Sequence, residues 1–155
     1  MASGETALIV GVGTKLSASV ARLCHKQGMK VALAARNVDK LADLAAQTNA
    51  KSYACDASQP NDVEELFKNV NSDIGEPNLV LFNASARVRG GVHEIDPIEV
   101  QKAIMITCYG GFLVGHHASK QMRERGSGTI LFTGASASVK GYPNSSAFAM
   151  GKFGL

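Results

Sequence analysis

Ala7-Leu8-Ile9-Val10-Gly11-Val12-Gly13 decides how the rest of the chain is read. Four apolar residues, two of them β-branched, stop abruptly at a glycine, the pattern of a strand buried on both faces. From about Thr14 to Gln27 the spacing becomes helical, and Gly28 ends that run in the C′ position. A strand, a G-x-G turn and a helix in this order aim free backbone N–H groups at one point, where a pyrophosphate is readily held. Glycine pairs also occur in purely structural βα turns, so at this stage both readings stand.

Outward from that turn, strand and helix signals alternate. Lys30–Ala35 predicts a second strand, and Asn37 is placed to cap a helix over Val38–Thr48, with Leu41, Leu44 and Ala45 on one face. Ser52–Cys55 predicts a short third strand closing on Asp56. Pro60 opens a helix to Val70 that turns Val63, Leu66 and Phe67 inward. Asn78–Phe82 predicts a fourth strand ending at Asn83, and Pro97 stands near the first turn of a helical region that continues as a long, apolar helix over 104–121. Thr129–Phe132 predicts a fifth strand, and a last helix begins at Ser145. Such alternation implies βαβ units: an α/β, Rossmann-like, doubly wound parallel sheet with helices on both faces, three layers in all.

Composition narrows the function classes. The 155 residues are 45% hydrophobic, enough for the core of one domain, and no apolar run approaches the ~18 residues of a membrane helix. The three cysteines, Cys24, Cys55 and Cys108, are odd in number and lack C-x-x-C spacing, so a reducing, cytoplasmic setting is expected and no metal site. His116 and His117 are adjacent and point about 100° apart on a helix, which does not make a ligand pair. The net charge of +3 is uneven, since residues 1–99 carry a net of −2 and residues 100–155 a net of +5. No basic cluster exceeds isolated pairs, so a solvated helix face with one or two phosphate-binding residues is preferred to a nucleic-acid surface.

Two residues near the strand ends sharpen the ligand. Arg36 follows the second strand where an NAD-specific site carries an acidic residue, and its guanidinium suits a 2′-phosphate; the alternative is a surface arginine. Asp56, after the third strand, either accepts from an adenine amino group or is a simple turn carboxylate. Lys15 beside the glycine turn would add a charge-assisted phosphate contact.

With Phe82–Ser85 (F-N-A-S), Phe132–Ser138 (F-T-G-A-S-A-S) and Phe148–Lys152 (F-A-M-G-K) in this order, the chain resembles the short-chain dehydrogenase/reductase family over nearly its whole length. Gly11 and Gly13 match the early part of that family's T-G-x-x-x-G-x-G turn, while Lys15 and Ser17 stand where later glycines belong. Asn83 and Ala84 match its N-N-A-G motif, and Phe82 and Ser85 do not. The resemblance implies a nicotinamide dinucleotide, which Arg36 makes NADP(H) in preference to NAD(H), held by Gly11, Gly13, Lys15, Leu16, Arg36, Asp56, Ala57, Asn83, Ala84 and Lys152. It also implies hydride transfer between nicotinamide and a carbonyl or alcohol.

The family's Tyr-x-x-x-Lys pair is only half present, because Lys152 is preceded four residues earlier by Phe148. The position of its serine falls on Ala135, or on Ser136 after a one-residue slip, and that of its asparagine on Thr107. Two readings of this gap compete. In one, the protein is an oxidoreductase with Lys152, Ser136 and a displaced proton donor, Tyr142, whose alternative role is a wall of the substrate loop. In the other, it is a catalytically silent dinucleotide-binding homologue, a sensor or partner subunit. A different Rossmann-type enzyme such as a methyltransferase is disfavoured by Asn83 and Lys152. Arg87 and Arg89 either favour an anionic substrate or are plain surface residues.

The resemblance further implies a small-molecule substrate, no nucleic-acid or membrane partner, and a homodimer or homotetramer through helix 104–121. Residues 1–155 are expected to form one dinucleotide-binding domain, the N-terminal three-fifths of a longer fold whose C-terminal part is missing. An exposed sheet edge at the fifth strand and an incomplete substrate site would follow.

Overall fold

β1 (Thr6–Val10), buried along its whole length, sets the layers, because successive side chains leave a strand on opposite faces. The computed structural model describes residues 4–155. In it, β1 is the centre of a five-stranded parallel sheet of order β3-β2-β1-β4-β5, built from β2 (Lys30–Ala35), β3 (Lys51–Ala54), β4 (Pro77–Phe82) and β5 (Thr129–Phe132). Ala7 and Ile9 face one side, where they pack with Ala18, Ala21 and Cys24 of α1 (Leu16–Lys26) and Leu44 of α2 (Ala42–Thr48). Leu8 and Val10 face the other, against Val63, Leu66 and Phe67 of α3 (Pro60–Ile74) and Leu113 and Val114 of α5 (Gly110–Arg125). Each fully buried Leu, Ile, Val or Phe contributes about 1.5–3 kcal/mol relative to leaving it exposed. The sheet therefore belongs to the Rossmann-like class.

Local chemistry explains the element boundaries. Gly28 takes φ +81° and ends α1. The Asn37 carboxamide oxygen accepts from the Asp39 N–H at 3.0 Å, but the turn it opens is 3₁₀-helical over Asp39–Leu41, and α2 starts only at Ala42. The first helix likewise starts at Leu16 rather than Thr14, because Lys15 is held outside helical geometry at φ −106° and ψ −110°. The third strand lies one residue earlier than its apolar pattern suggests, at Lys51–Ala54.

The largest departure is in the long helix expected over 104–121. It begins with α4 (Pro97–Ile104), passes through a π-helical turn at Met105–Tyr109, and continues as α5 to Arg125. Asp96 caps its start, its carboxylate accepting from the Ile98 N–H at 2.8 Å, and Gly126, at φ +78°, ends it. The closing helix α6 (Ser146–Gly154) packs on α4 and on the π-helical turn. No helix among the described residues is long and apolar enough to cross a membrane. Among the described residues no strand pairs with the outer edge of β5, and Leu131 and Phe132 of that strand are exposed.

Gly11 has φ +82°, and a Cβ built on it would lie 2.3 Å from the Ala84 backbone nitrogen. Gly11→Ala is expected to cost about 2–4 kcal/mol in urea unfolding, from left-handed strain and backbone overlap together; an unchanged midpoint would contradict this close approach. Burial, reinforced by Asp62 and Asp56, pushes the Cys55 thiol up to about 12, and burial also raises that of Cys24. In the folded protein both should resist iodoacetamide at neutral pH and react once guanidinium unfolds the chain. Rapid labelling of Cys55 before unfolding would refute its burial.

Candidate functional site

In-register pairing brings the carboxyl ends of the strands to one edge of the sheet. Val10 pairs with both Ala34 and Phe82, Ala35 with Ala54, and Phe82 with Phe132. The hydrogen bonding continues past the strand ends. Gly11 and Val12 donate to the Ala34 carbonyl at 2.9 and 3.2 Å, Cys55 donates to the Ala35 carbonyl at 3.1 Å, and Asn83 donates to the Val10 carbonyl at 2.8 Å. The Asn83 carboxamide also donates to the Gly11 carbonyl at 3.0 Å. The winding reverses between β1 and β4, so a crevice opens there, as doubly wound sheets require.

That crevice is a cleft of about 420 Å³ lined by Gly11, Gly13, Arg36, Asp56, Ala57, Asn83 and Ala84. Seven of the residues expected to hold a dinucleotide thus meet in one place. Lys15, Leu16 and Lys152 do not line it: Lys15 precedes α1, the Leu16 side chain is exposed, and Lys152 is buried in α6. Asp56 is already engaged, its carboxylate accepting from the Ser58 N–H at 3.0 Å and from the Ser58 hydroxyl at 2.7 Å.

The glycine turn is tied by a residue that its motif does not reveal. Buried Ser17 accepts from the Gly13 N–H at 2.8 Å through its hydroxyl, which donates back to the Gly13 carbonyl at 3.3 Å. That leaves the first-turn N–H groups of α1, which have no intrahelical partner, at the mouth of the turn with no acidic side chain in that turn to compete. Donors at a helix N-terminus, an open cleft and a guanidinium on its far wall fit a dinucleotide phosphate. Ser17 follows the turn by four residues, a spacing that identifies it only once the helix start is known.

On the other side of β4 lies a second cavity of about 620 Å³, whose lining includes Ser136, Tyr142 and Phe148. Phe148 is nearly buried, and its ring carries the Arg87 guanidinium 4.1 Å from its centroid and the Lys152 ammonium at 5.9 Å. Lys152 donates to the Thr133 carbonyl at 2.5 Å, and burial, reinforced by Arg87, lowers its pKa. Ser136 is exposed at the start of a 3₁₀ turn; Ser138, not Ser136, accepts from the Ala135 N–H, at 3.1 Å. Thr107 is fully buried on the π-helical turn and accepts from the Ala86 N–H at 3.0 Å, which fixes the chain just after the Asn83 motif. His117 stacks on Phe67, with ring centroids 5.4 Å apart, as a packing residue.

Known proteins share this fold. The short chain dehydrogenase family matches residues 5–155. An uncharacterized oxidoreductase of Staphylococcus aureus (strain MRSA252) is 28% identical over 141 residues, covering 89% of this chain and 60% of that protein. The (21S)-21-acetoxyl-apo-melianone synthase of Melia azedarach is 26% identical over 157 residues, covering 98% of this chain and 58% of its own length. The chain thus spans about three-fifths of the curated relatives it matches. A short-chain dehydrogenase from Rhodopseudomonas palustris superimposes with a TM-score of 0.91 at 29% identity, over 98% of this chain and 74% of that one. With the parallel sheet, the glycine turn and the Asn83 crossing in place, the chain belongs to the short-chain dehydrogenase/reductase family.

Proposed function

We propose that the protein is an NADP(H)-dependent oxidoreductase that interconverts a carbonyl and an alcohol. The convergence of Gly11, Gly13, Arg36, Asp56 and Asn83 on one cleft at the β1–β4 crossing carries this reading. A nicotinamide dinucleotide bound there would supply or accept the hydride. The chain's own residues do the remaining work. The first-turn N–H groups of α1, among them that of Leu16, take the pyrophosphate, with Lys15 adding charge from outside the cleft. Arg36 takes the 2′-phosphate through a bidentate contact, and Asp56 and the Ala57 backbone bound the adenine side. Asn83 and Ala84 form the opposite wall.

The proton is the harder requirement, since Phe148 has none to give. Tyr142 is the phenol on the same cavity as Phe148, and the Lys140 ammonium lies 5.1 Å from its ring centroid. We assign the donor role to Tyr142, oxyanion stabilisation to Ser136, and to Lys152 the electrostatic support of the cavity wall and the ribose side. The exposed stripe of Phe112 and His116 on α5 supports self-association through that helix.

Arg36→Ala should weaken NADPH about tenfold to a hundredfold in calorimetric titration and leave NADH nearly unchanged. No binding of either cofactor by the wild type would overturn the functional reading, and a wild-type preference for NADH would overturn the role of Arg36. In a carbonyl panel followed by loss of NADPH absorbance, Tyr142→Phe should slow turnover about 10²-fold or more. Phe148→Tyr in that background should restore it. Turnover indifferent to Tyr142→Phe removes the displaced donor, and NADPH binding with no turnover in the wild type favours the silent homologue instead.

A further inference from the structure

The 620 Å³ cavity has an unusual charge balance. Arg87 and Arg89 are the only ionisable side chains lining it besides the Tyr142 phenol, and no carboxylate is among its walls. Neither arginine forms an ion pair among the described residues. The nearest acid in sequence, Glu94, is not part of the lining; its carboxylate packs against the Gly90–Gly91 backbone, accepting from the Gly91 N–H at 3.1 Å and lying 3.6 Å from His93. Two further cations lie against aromatic residues of its lining, Lys140 at 5.1 Å from the Tyr142 ring centroid and Lys152 at 5.9 Å from that of Phe148.

Arg87 is also held in place. Its guanidinium lies 4.1 Å from the Phe148 ring centroid, a cation–π contact that orients the group while leaving its N–H donors free of any acidic side chain. The Arg87–Gly90 segment is fastened to the opposite loop by the Gly90 N–H, which donates to the Asn144 carbonyl at 3.2 Å. Asn144 itself sits at φ +55°, a left-handed conformation more readily adopted by asparagine than by most residues. Two unpaired guanidiniums are therefore presented on a loop pinned at both its ring and its backbone.

We propose that this cavity receives the substrate and that the substrate carries a carboxylate, bound by Arg87 and Arg89. The inference rests on the oxidoreductase reading for the identity of the cavity as a substrate site. Its charge preference stands on the two arginines alone. The phenylalanine at position 148 then has a use: it replaces a neutral proton donor with an apolar platform that holds a fixed cation over the cavity. A guanidinium stays protonated throughout the physiological range, so it contributes hydrogen bonds and charge rather than a proton.

Phenylglyoxylate and its methyl ester, an oxo acid and its neutral counterpart, separate charge from shape. Ligand-observed NMR titrations with and without saturating NADPH should show the acid binding at least about tenfold more tightly than the ester. Arg87→Gln with Arg89→Gln should bring the two to parity. If the double variant fails to fold, the wild type still decides, because the advantage of the acid should shrink as salt is raised while ester binding does not. An ester that binds as tightly as the acid, an acid with no measurable binding, or an advantage that survives both substitutions overturns the proposal. NADPH titrated separately keeps the two failures apart. Absent NADPH binding removes the oxidoreductase reading and leaves the acid–ester comparison intact, whereas equal binding of acid and ester beside intact NADPH binding removes only the anionic substrate.

Discussion

The approach of Gly11 to Ala84 is the constraint on which the site depends. At this point the backbones leaving β1 and β4 come so close that a single methyl group would overlap the Ala84 main chain. The Asn83 side chain closes the seam by donating to the Gly11 carbonyl, and the Asn83 N–H adds one further rung to the ladder. The cleft walls are referred to this seam, Arg36 through the β1–β2 register and Asp56 through β2–β3, and outside the cleft the loop after β5 is tied to β4 by the Thr133 N–H on the Phe82 carbonyl. The crevice has two walls because the chain winds away from β1 in opposite directions on its two sides.

How much of this the sequence disclosed depends on how local each cause is. β2 and β5 were readable to the residue, since their apolar runs lie between nearby turn residues, Gly28 and Asn37 for β2 and Gly128 and Gly134 for β5. The parallel α/β class followed from alternation alone, and the cleft-lining glycines, arginine and asparagine from their position at strand ends, whereas the strand order came from the structure. What escaped is whatever depends on a partner distant in sequence or on the exact phase of a helix. Thr107 meets the Ala86 N–H across 21 residues, and Ser17 can reach Gly13 only because α1 begins at Leu16. Ser138 rather than Ser136 ties the strand-five loop, a distinction set by a 3₁₀ turn that motif spacing does not encode.

Phe148 and Lys152 show how one substitution reorganises a neighbourhood. The lysine remains on α6 with its ammonium against the Thr133 carbonyl, so its position is secured by the backbone of the loop after β5. The ring four residues earlier gives it an apolar neighbour and accepts a second cation, Arg87, on its face. Two positive charges lie against one aromatic ring, and burial, reinforced by Arg87, depresses the Lys152 pKa. A negative group entering the cavity would relieve the repulsion between them.

The π-helical turn at Met105–Tyr109 has a geometrical meaning beyond its local hydrogen bonds. A wider turn accommodates one residue more than an α-helical path, and so rotates everything beyond it by about 100° relative to everything before it. Without that offset, α4 and α5 would be one straight rod with a single apolar stripe, obliged to serve both α6 and the sheet. With it, Ala103 can point toward one neighbour and Leu113, Val114 and Ala118 toward another. The turn works as a phase shifter within one continuous helix. Its length is therefore constrained more tightly than its composition: side chains there can be exchanged, but a residue gained or lost would put the wrong stripe against the sheet.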